Sequence, residues 1–293
     1  MRVIVTGSGG LLGGRIAALL HADGFEVLAA YRETPPPPGP RAVSIELSFP
    51  DALARLLDAS RPEAIVHAAV LGRVDQCQDG PALAEATNAG LPARIARASR
   101  ERGLRLVALS TDMVFAGDRA PLREDDPTGP LSVYGRTKRE GERAVLEALP
   151  GAAVARVALV YGRGHGPRGT SSESVAWALA AGRAPRLFTD EFRTPIDAVS
   201  VADAVGRLLR RGGSGLFHLG GPERLSRYEL GARTARVLGL DASRIVAVRQ
   251  DEVPAPEPRP RDVSLDSGRA RRELGWEPRP VDEALRDGRT APE

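Results

Sequence analysis

The chain opens MRVIVTGSGGLLGGRIAALLHADGFEVLAAYR, and no other stretch restricts its fold as tightly. Arg2 to Thr6 is a short β-branched run. Gly7, Gly10 and Gly13 follow at the spacing TGxxGxxG, and Ile16, Ala17, Leu19 and Leu20 continue an apolar face at helical period. With a second strand over 26–30, this order predicts a βαβ unit. The glycines have separate uses: one turns the chain sharply, one lets the backbone approach a pyrophosphate, and one lets helix and strand pack closely. Leu11 and Leu12 begin the helix, whose unpaired N–H groups and positive dipole end face the turn. The pattern points to a bound dinucleotide; the other reading of the same glycines is a bare tight turn in an unrelated α/β protein.

The second strand ends at Tyr31 and Arg32, where the ribose of such a ligand is expected. An acidic residue there would bond a free 2′-hydroxyl, whereas the planar fork of Arg32 suits a 2′-phosphate; the alternative is a solvated arginine. The TPPPPGP segment over 34–40 is stiff and extended. Further strands are expected over 43–47, 64–70, 104–109 and 152–161, alternating with helices over 48–59, capped by Ser48, then 81–102 and 131–149. His67 sits inside the 64–70 strand and reads as a hydrogen-bonded core residue, with Ala68 and Ala69 better placed to line a cofactor. Past 161 the alternation loosens. A flexible 162–172 stretch precedes a helix over 173–181, an isolated strand within 186–195, a helix over 201–211 and a strand over 216–219. A helix over 226–238, a proline-rich 254–260 segment and a terminal helix from 266 complete the chain.

The predicted fold class is therefore α/β: a Rossmann-type, doubly wound parallel sheet with a smaller C-terminal substrate-binding lobe. The cofactor domain is expected over 1–161 with 197–220 returning to it, and the lobe over 162–196 and 221–293. Ligands of such sheets bind beyond the carboxyl ends of the strands, so Gly7, Arg32, Ala68 and Thr111 should converge on one crevice.

The 293 residues carry 41 basic and 38 acidic side chains, interspersed, for a net charge of +3. No like-charged block marks a nucleic-acid arm. The single Cys77 excludes an intrachain disulfide and a cysteine metal cluster, and no apolar run approaches a membrane span. A core strand from residue 3 leaves no room for a signal peptide. These features predict a cytoplasmic protein acting on small molecules, with no metal, membrane or nucleic-acid partner.

A second constellation joins Tyr134 and Lys138 in YGRTK with Thr111 in STDMVF. Residues i and i+4 share a helix face, so the ammonium is expected to favour the phenolate and to lower the phenol's pKa from near 10 toward working pH. Tyr134 would then exchange a proton with a carbonyl oxygen that Thr111 holds in register. Beside a dinucleotide, these groups suit carbonyl reduction or its reverse. A packed tyrosine beside a solvated lysine is the plain alternative.

These motifs, together with HAAV, ATNAG, YGRTKREGE, RTPIDAVSVADAV, GLFHLGG, LSRYELG and RDVSLDSGRARRELGWEP, run almost end to end, and the chain resembles the extended short-chain dehydrogenase/reductases. Within them it is most similar to the dTDP-4-dehydrorhamnose reductases and their relatives. The resemblance implies Thr111, Tyr134 and Lys138 as the catalytic set, with Lys138 also holding the nicotinamide ribose. It implies Gly7, Gly10, Leu11, Leu12, Gly13, Arg32, Ala68 and Ala69 at the cofactor, which is expected to be NADP(H) with NAD(H) as the alternative. Met113 stands where the family has an aromatic near the sugar, and Arg193 is either a contact to a nucleotide diphosphate or a structural residue. The implied function is NADPH-dependent reduction of a keto group on a nucleotide-activated deoxysugar, in a protein that can form a homodimer. Two other functions occur among similar proteins: an NAD-retaining nucleotide-sugar epimerase or dehydratase, and a regulatory subunit like that of methionine adenosyltransferase.

Overall fold

Val3, Ile4 and Val5 point alternately to opposite sides, yet all three are buried, as in a strand covered on both faces. The computed structural model describes residues 1–166, 169–253 and 258–287. This strand, β1 (Arg2–Thr6), is followed by α1 (Leu11–Ala22), β2 (Glu26–Tyr31), β3 (Arg41–Ser44), α2 (Ala52–Ser60) and β4 (Ala64–His67). Next come α3 (Val74–Asp79), α4 (Pro81–Glu85), α5 (Leu91–Arg102), β5 (Arg105–Thr111), α6 (Val133–Ala148) and β6 (Ala153–Val157). After a short β7 (Val160–Tyr161) lie α7 (Ser171–Ala180), β8 (Arg186–Phe188), β9 (Phe192–Arg193), β10 (Ile196–Asp197), α8 (Ala198–Arg211) and β11 (Gly215–Leu219). The chain ends with β12 (Leu225–Ser226), α9 (Arg227–Leu238), β13 (Val246–Val248), α10 (Gly268–Leu274) and α11 (Val281–Asp287).

Seven strands form one parallel sheet in the order β11-β6-β5-β4-β1-β2-β3, which is the predicted doubly wound α/β fold. Winding reverses between β1 and β4, and that switch point opens the crevice at the strands' carboxyl ends. Period-two alternation divides the core: Val3, Val5, Val66 and Val107 pack with Ile16, Leu20, Val201 and Val205, while Ile4, Ile65, Leu106 and Val154 pack with Leu53, Leu57, Ile95 and Val145. A smaller core joins Tyr161, Leu230, Val237, Val281 and Leu285, and another joins Val175, Leu179, Ala235 and Ile245.

Several expected boundaries move for local reasons. Ser48 does not cap a helix. Its N–H donates to Glu46 Oε1 (2.9 Å), and α2 starts four residues later, beyond Pro50. The expected 81–102 helix is broken by a π-helical turn at Ala86–Gly90. Pro92 lacks the N–H that would bond the Asn88 carbonyl, and Gly141 of α6 presses on that same oxygen, where a Cβ would lie 2.2 Å away. The strand expected over 152–161 splits into β6 and β7, and the isolated one within 186–195 becomes two short strands, β8 and β9, with separate partners, followed just beyond by β10. The helix expected over 201–211 begins at Ala198, because Asp197 caps it through the N–H groups of Val199 (3.0 Å) and Ser200 (3.1 Å). Not all of 221–293 stays with the lobe: Val263, Leu265, Ala270, Leu274 and Trp276 join the main core, and Trp276 Nε1 donates to Ser200 O (2.9 Å). Of the proline-rich 254–260 segment, 254–257 lie outside the described residues, as do 167–168 of the 162–172 stretch.

Candidate active site

Gly7 leaves β1 at φ +69°, a conformation that favours glycine, and a Cβ there would lie 2.5 Å from the backbone of Ala69. A Cβ on Gly13 would fall 2.3 Å from Gly7 O. Gly7, Gly13, Ala68 and Ala69 are thus brought together by backbone contact that no larger residue permits. Gly10 is exposed at the N-terminus of α1, with no capping side chain among the described residues, so Leu11 and Leu12 begin the helix with outward N–H groups. An uncapped helix end beside Gly10, where a Cβ would already crowd Gly7 O at 3.2 Å, fits the pyrophosphate of a dinucleotide.

Two further glycines and a histidine complete this turn, and the sequence reading passed over them. A Cβ on Gly9 would strike Thr34 O at 2.0 Å, and one on Gly14 would lie 2.5 Å from the His165 ring. His165 donates its backbone N–H to Leu11 O (3.1 Å), and its Nε2 meets Pro35 O at 2.8 Å. The 162–166 segment, expected to be flexible, is therefore a strap across the glycine turn; Gly164 N is also held by Glu173 Oε2 (3.1 Å). The doubled glycines GG at 9–10 and 13–14 were the available signal for this close approach.

Ser132 caps α6, accepting from Gly135 N (3.1 Å), and the first turn of α6 lies against residue 113, where a Cβ on Gly135 would be 2.3 Å from Met113 O. This contact carries Tyr134 to Thr111, whose hydroxyl is among the groups acting on the phenol. Thr111 Oγ1 donates to Asp112 Oδ1 (3.2 Å) and accepts from Met113 N (3.2 Å). Lys138, one turn on, is buried and donates from Nζ to Leu109 O (2.7 Å). Asn88 braces this face: Leu71 N donates to its Oδ1 (2.9 Å), and its Nδ2 donates to Thr137 Oγ1 (3.2 Å). Only the ATNAG segment hinted at that role.

The electrostatics correct one expectation. Burial pushes the Tyr134 phenol up to about 12, with Asp112 adding to the rise and the Thr111 hydroxyl and Arg193 opposing it. Lys138 is not among the main influences on the phenol. Burial pushes Lys138 itself down to about 8, against the pull of Glu142, while its Nζ is turned to a carbonyl of β5. His67 accordingly stays neutral, pushed down to about 3 by burial and then by Lys138, with Nδ1 bonded to Thr6 Oγ1 (2.8 Å).

Arg193 and Met113 do meet, with Nη2 2.9 Å from the thioether sulfur. The guanidinium is already engaged by two buried carboxylates, Asp112 (2.9 Å) and Glu191 (3.3 Å), which leaves its Nε without a partner among the described residues. As it stands, Arg193 ties the turn after β5 to β9. Arg32 follows β2, exposed, 2.9 Å from Glu33 and 3.8 Å from Glu46. Among the described residues no cluster of His, Cys, Asp or Glu is arranged to hold a metal, and no helix is long and apolar enough to cross a membrane.

The model for the RmlD substrate binding domain matches residues 1–290. A dTDP-4-keto-6-deoxy-D-glucose reductase of Streptomyces niveus is 34% identical, covering 94% of this chain and 92% of its own. A dTDP-4-dehydrorhamnose reductase of Mycolicibacterium smegmatis is 35% identical over 92% of this chain and 79% of its own. The crystal structure of a dTDP-4-dehydrorhamnose reductase from Clostridium acetobutylicum superposes with a TM-score of 0.86 at 26% identity, covering 98% of both chains.

Proposed function

The chain belongs to the RmlD substrate binding domain family, and from that membership we propose that it is an NADPH-dependent reductase of a keto group on a nucleotide-activated deoxysugar, of the kind that dTDP-4-dehydrorhamnose reductases act on. The observation that carries the reading is the juxtaposition of Tyr134 with Thr111, with Lys138 one turn along α6, at the carboxyl ends of the same sheet whose first strand leads into the glycine turn. When bound, the nicotinamide supplies the hydride for the carbonyl carbon. Gly7, Gly10, Gly13, Leu11 and Leu12 would hold its pyrophosphate, Ala68 and Ala69 would line it, and Lys138 would hold the ribose. Arg32 would turn from Glu33 to a 2′-phosphate. Tyr134 donates its phenolic proton to the carbonyl oxygen, turning ketone into alcohol, and Thr111 holds that oxygen in line. Burial keeps the phenol protonated at neutral pH, so the proton to be given is in place.

In this reading the nucleotide-binding part is 1–161 with 197–220, and the substrate lobe is 162–196 with 221–262 and the α11 region; Met113 and Arg193 face the sugar side. A cytoplasmic location and a homodimer belong to the same reading, and light scattering of the purified protein would test the dimer. The deciding experiment follows NADPH oxidation with dTDP-4-dehydrorhamnose and related keto sugars, and identifies any cofactor retained on purification. Turnover of a keto sugar supports the reading. Tightly retained NAD with no net reduction would replace it with an epimerase, and cofactor binding with no turnover of any ketone would replace it with a regulatory protein.

A further inference from the structure

One residue short of Thr111, a buried polar row crosses three neighbouring strands. Ser110 on β5 is in register with Arg156 on β6, and Arg156 with His218 on β11. Residues paired in register point to the same side of a sheet, here the side on which Leu106, Ala108 and Val154 pack with Val145 of α6. All three polar residues of the row are buried.

The guanidinium of Arg156 is the hub of this row. Its Nε and Nη2 donate to the Glu142 carboxylate of α6 (3.0 and 2.8 Å), which also accepts from Ser110 Oγ. Its Nη1 donates to Glu124 O (3.4 Å) and to His218 Nε2 (3.3 Å), and the cation lies 4.9 Å from the centroid of the Phe115 ring. His218 Nδ1 donates in turn to Leu122 O (3.0 Å), and the His218 backbone N–H donates to Glu124 Oε1 (2.9 Å). Arg156 thus holds β5 just before Thr111 through Ser110 and Glu142, holds α6 beyond Tyr134 through Glu142, and touches the segment between them at Phe115 and Glu124.

The side chains of Arg156 and Glu142 are 4% and 6% exposed. Burying such a pair does little for stability, since apolar residues of similar volume often serve as well or better. What apolar residues lack is direction: a planar fork fixes where its partners sit. Glu142 lies about 12 Å along α6 from Tyr134, on the same face. Lys138 Nζ on Leu109 O (2.7 Å) and Glu142 on Ser110 Oγ therefore fasten α6 to β5 at successive helical turns and successive strand residues.

We propose that Arg156 is a positioning residue of the active centre: by gripping Glu142, Glu124 O, His218 and Phe115 at once, it fixes the register of α6 on β5 and so holds the Tyr134 phenol in line with Thr111. This rests on the reading of Thr111 and Tyr134 as the groups that meet the substrate's carbonyl oxygen.

The test replaces both charges in the full chain, Arg156→Met together with Glu142→Met, so that neither is left buried alone. Denaturant melts give the folded fraction. Per folded molecule, kcat for keto-sugar reduction should fall roughly 10- to 10²-fold, the cost of a misplacement approaching 1 Å. The NADPH dissociation constant, read by fluorescence titration, should stay parental, and a crystal structure of the variant should show the phenol displaced from Thr111. A packing brace would change the melts and leave kcat per folded molecule parental, which overturns the proposal. Should the double variant fail to fold, Ser110→Ala decides, because it removes only the hydroxyl that joins the carboxylate to β5: a several-fold lower kcat at parental NADPH affinity supports the proposal, and a parental kcat overturns it. If neither variant folds, the network is a folding brace and the proposal falls. A parent that reduces no keto sugar defeats the functional reading and this inference together, whereas parental turnover in folded variants defeats this inference alone.

Discussion

Replacing Lys138 by Met should stabilise the cofactor-free protein while crippling its complex. The ammonium is 7% exposed, and burial lowers its pKa from 10.5 to about 8. At about 1.36 kcal/mol per unit, keeping it charged costs the folded state about 3 kcal/mol. Met fills a similar volume without a charge, and loses one hydrogen bond, to Leu109 O, worth about 1 kcal/mol. The net gain near neutrality is about 2 kcal/mol, or about 3 °C in melting temperature for a chain of 293 residues. The sign with pH follows from proton counting. Between the folded value near 8 and the unfolded value of 10.5, the unfolded parent binds more protons, so the parent's stability rises with pH across that window. The penalty is complete below the folded value and is lost above the unfolded one. Urea melts of cofactor-free parent and variant near pH 7 and pH 10 should show the variant's advantage shrinking by about 2 kcal/mol. NADPH titration of the same samples should show the variant binding poorly. A variant less stable than the parent by the same margin at both pH values would refute the burial argument.

Tyr134→Phe removes one hydroxyl beside Thr111, so stability should change by no more than about 1 kcal/mol and NADPH affinity should hold, while turnover falls roughly 10²–10⁴-fold; parental turnover in steady-state assays would remove Tyr134 from the mechanism. Arg32→Asp should weaken NADPH binding by about 1.5–3 kcal/mol and leave NADH binding nearly unchanged, as read by paired titrations, and equal losses for both cofactors would make Arg32 a surface residue. Gly7→Ala forces a side chain into a positive-φ position 2.5 Å from Ala69, and should cost at least about 1–3 kcal/mol in denaturant melts along with cofactor binding.

The glycine turn and the doubly wound parallel sheet were legible because both follow from backbone constraints that leave a residue-level trace: positive φ at Gly7, and unbroken burial along Val3, Ile4 and Val5. The Tyr134–Lys138 spacing was legible for the same reason, as helical period. Their electrostatics were not, because desolvation depends on what β5 and α6 together exclude, and Leu109 O captures a lysine that spacing alone would point at the phenol. Arg193 could be read as ligand contact or structural tie until Asp112 and Glu191, far apart in sequence from each other, were seen to grip it. The π-helical turn at 86–90 needed two facts at once, the missing N–H of Pro92 and the approach of Gly141 from another helix.

The return of residues 263–276 to the main core has a mechanical meaning. The chain leaves the sheet after β6, comes back through α8 and β11, departs again through α9, and re-enters at Val263 before α11 goes out once more. The main core and the smaller ones are therefore joined by several crossings of the chain rather than by one linker. The same lacing forbids separation. A chain cut after β11 would lose Trp276 from the apolar layer and leave Ser200 O without its partner, and Arg279 could no longer brace Asp197 at 2.7 Å. The apolar layer of the seven-stranded sheet is therefore no free-standing module: residues 263–276, late in the chain, complete it.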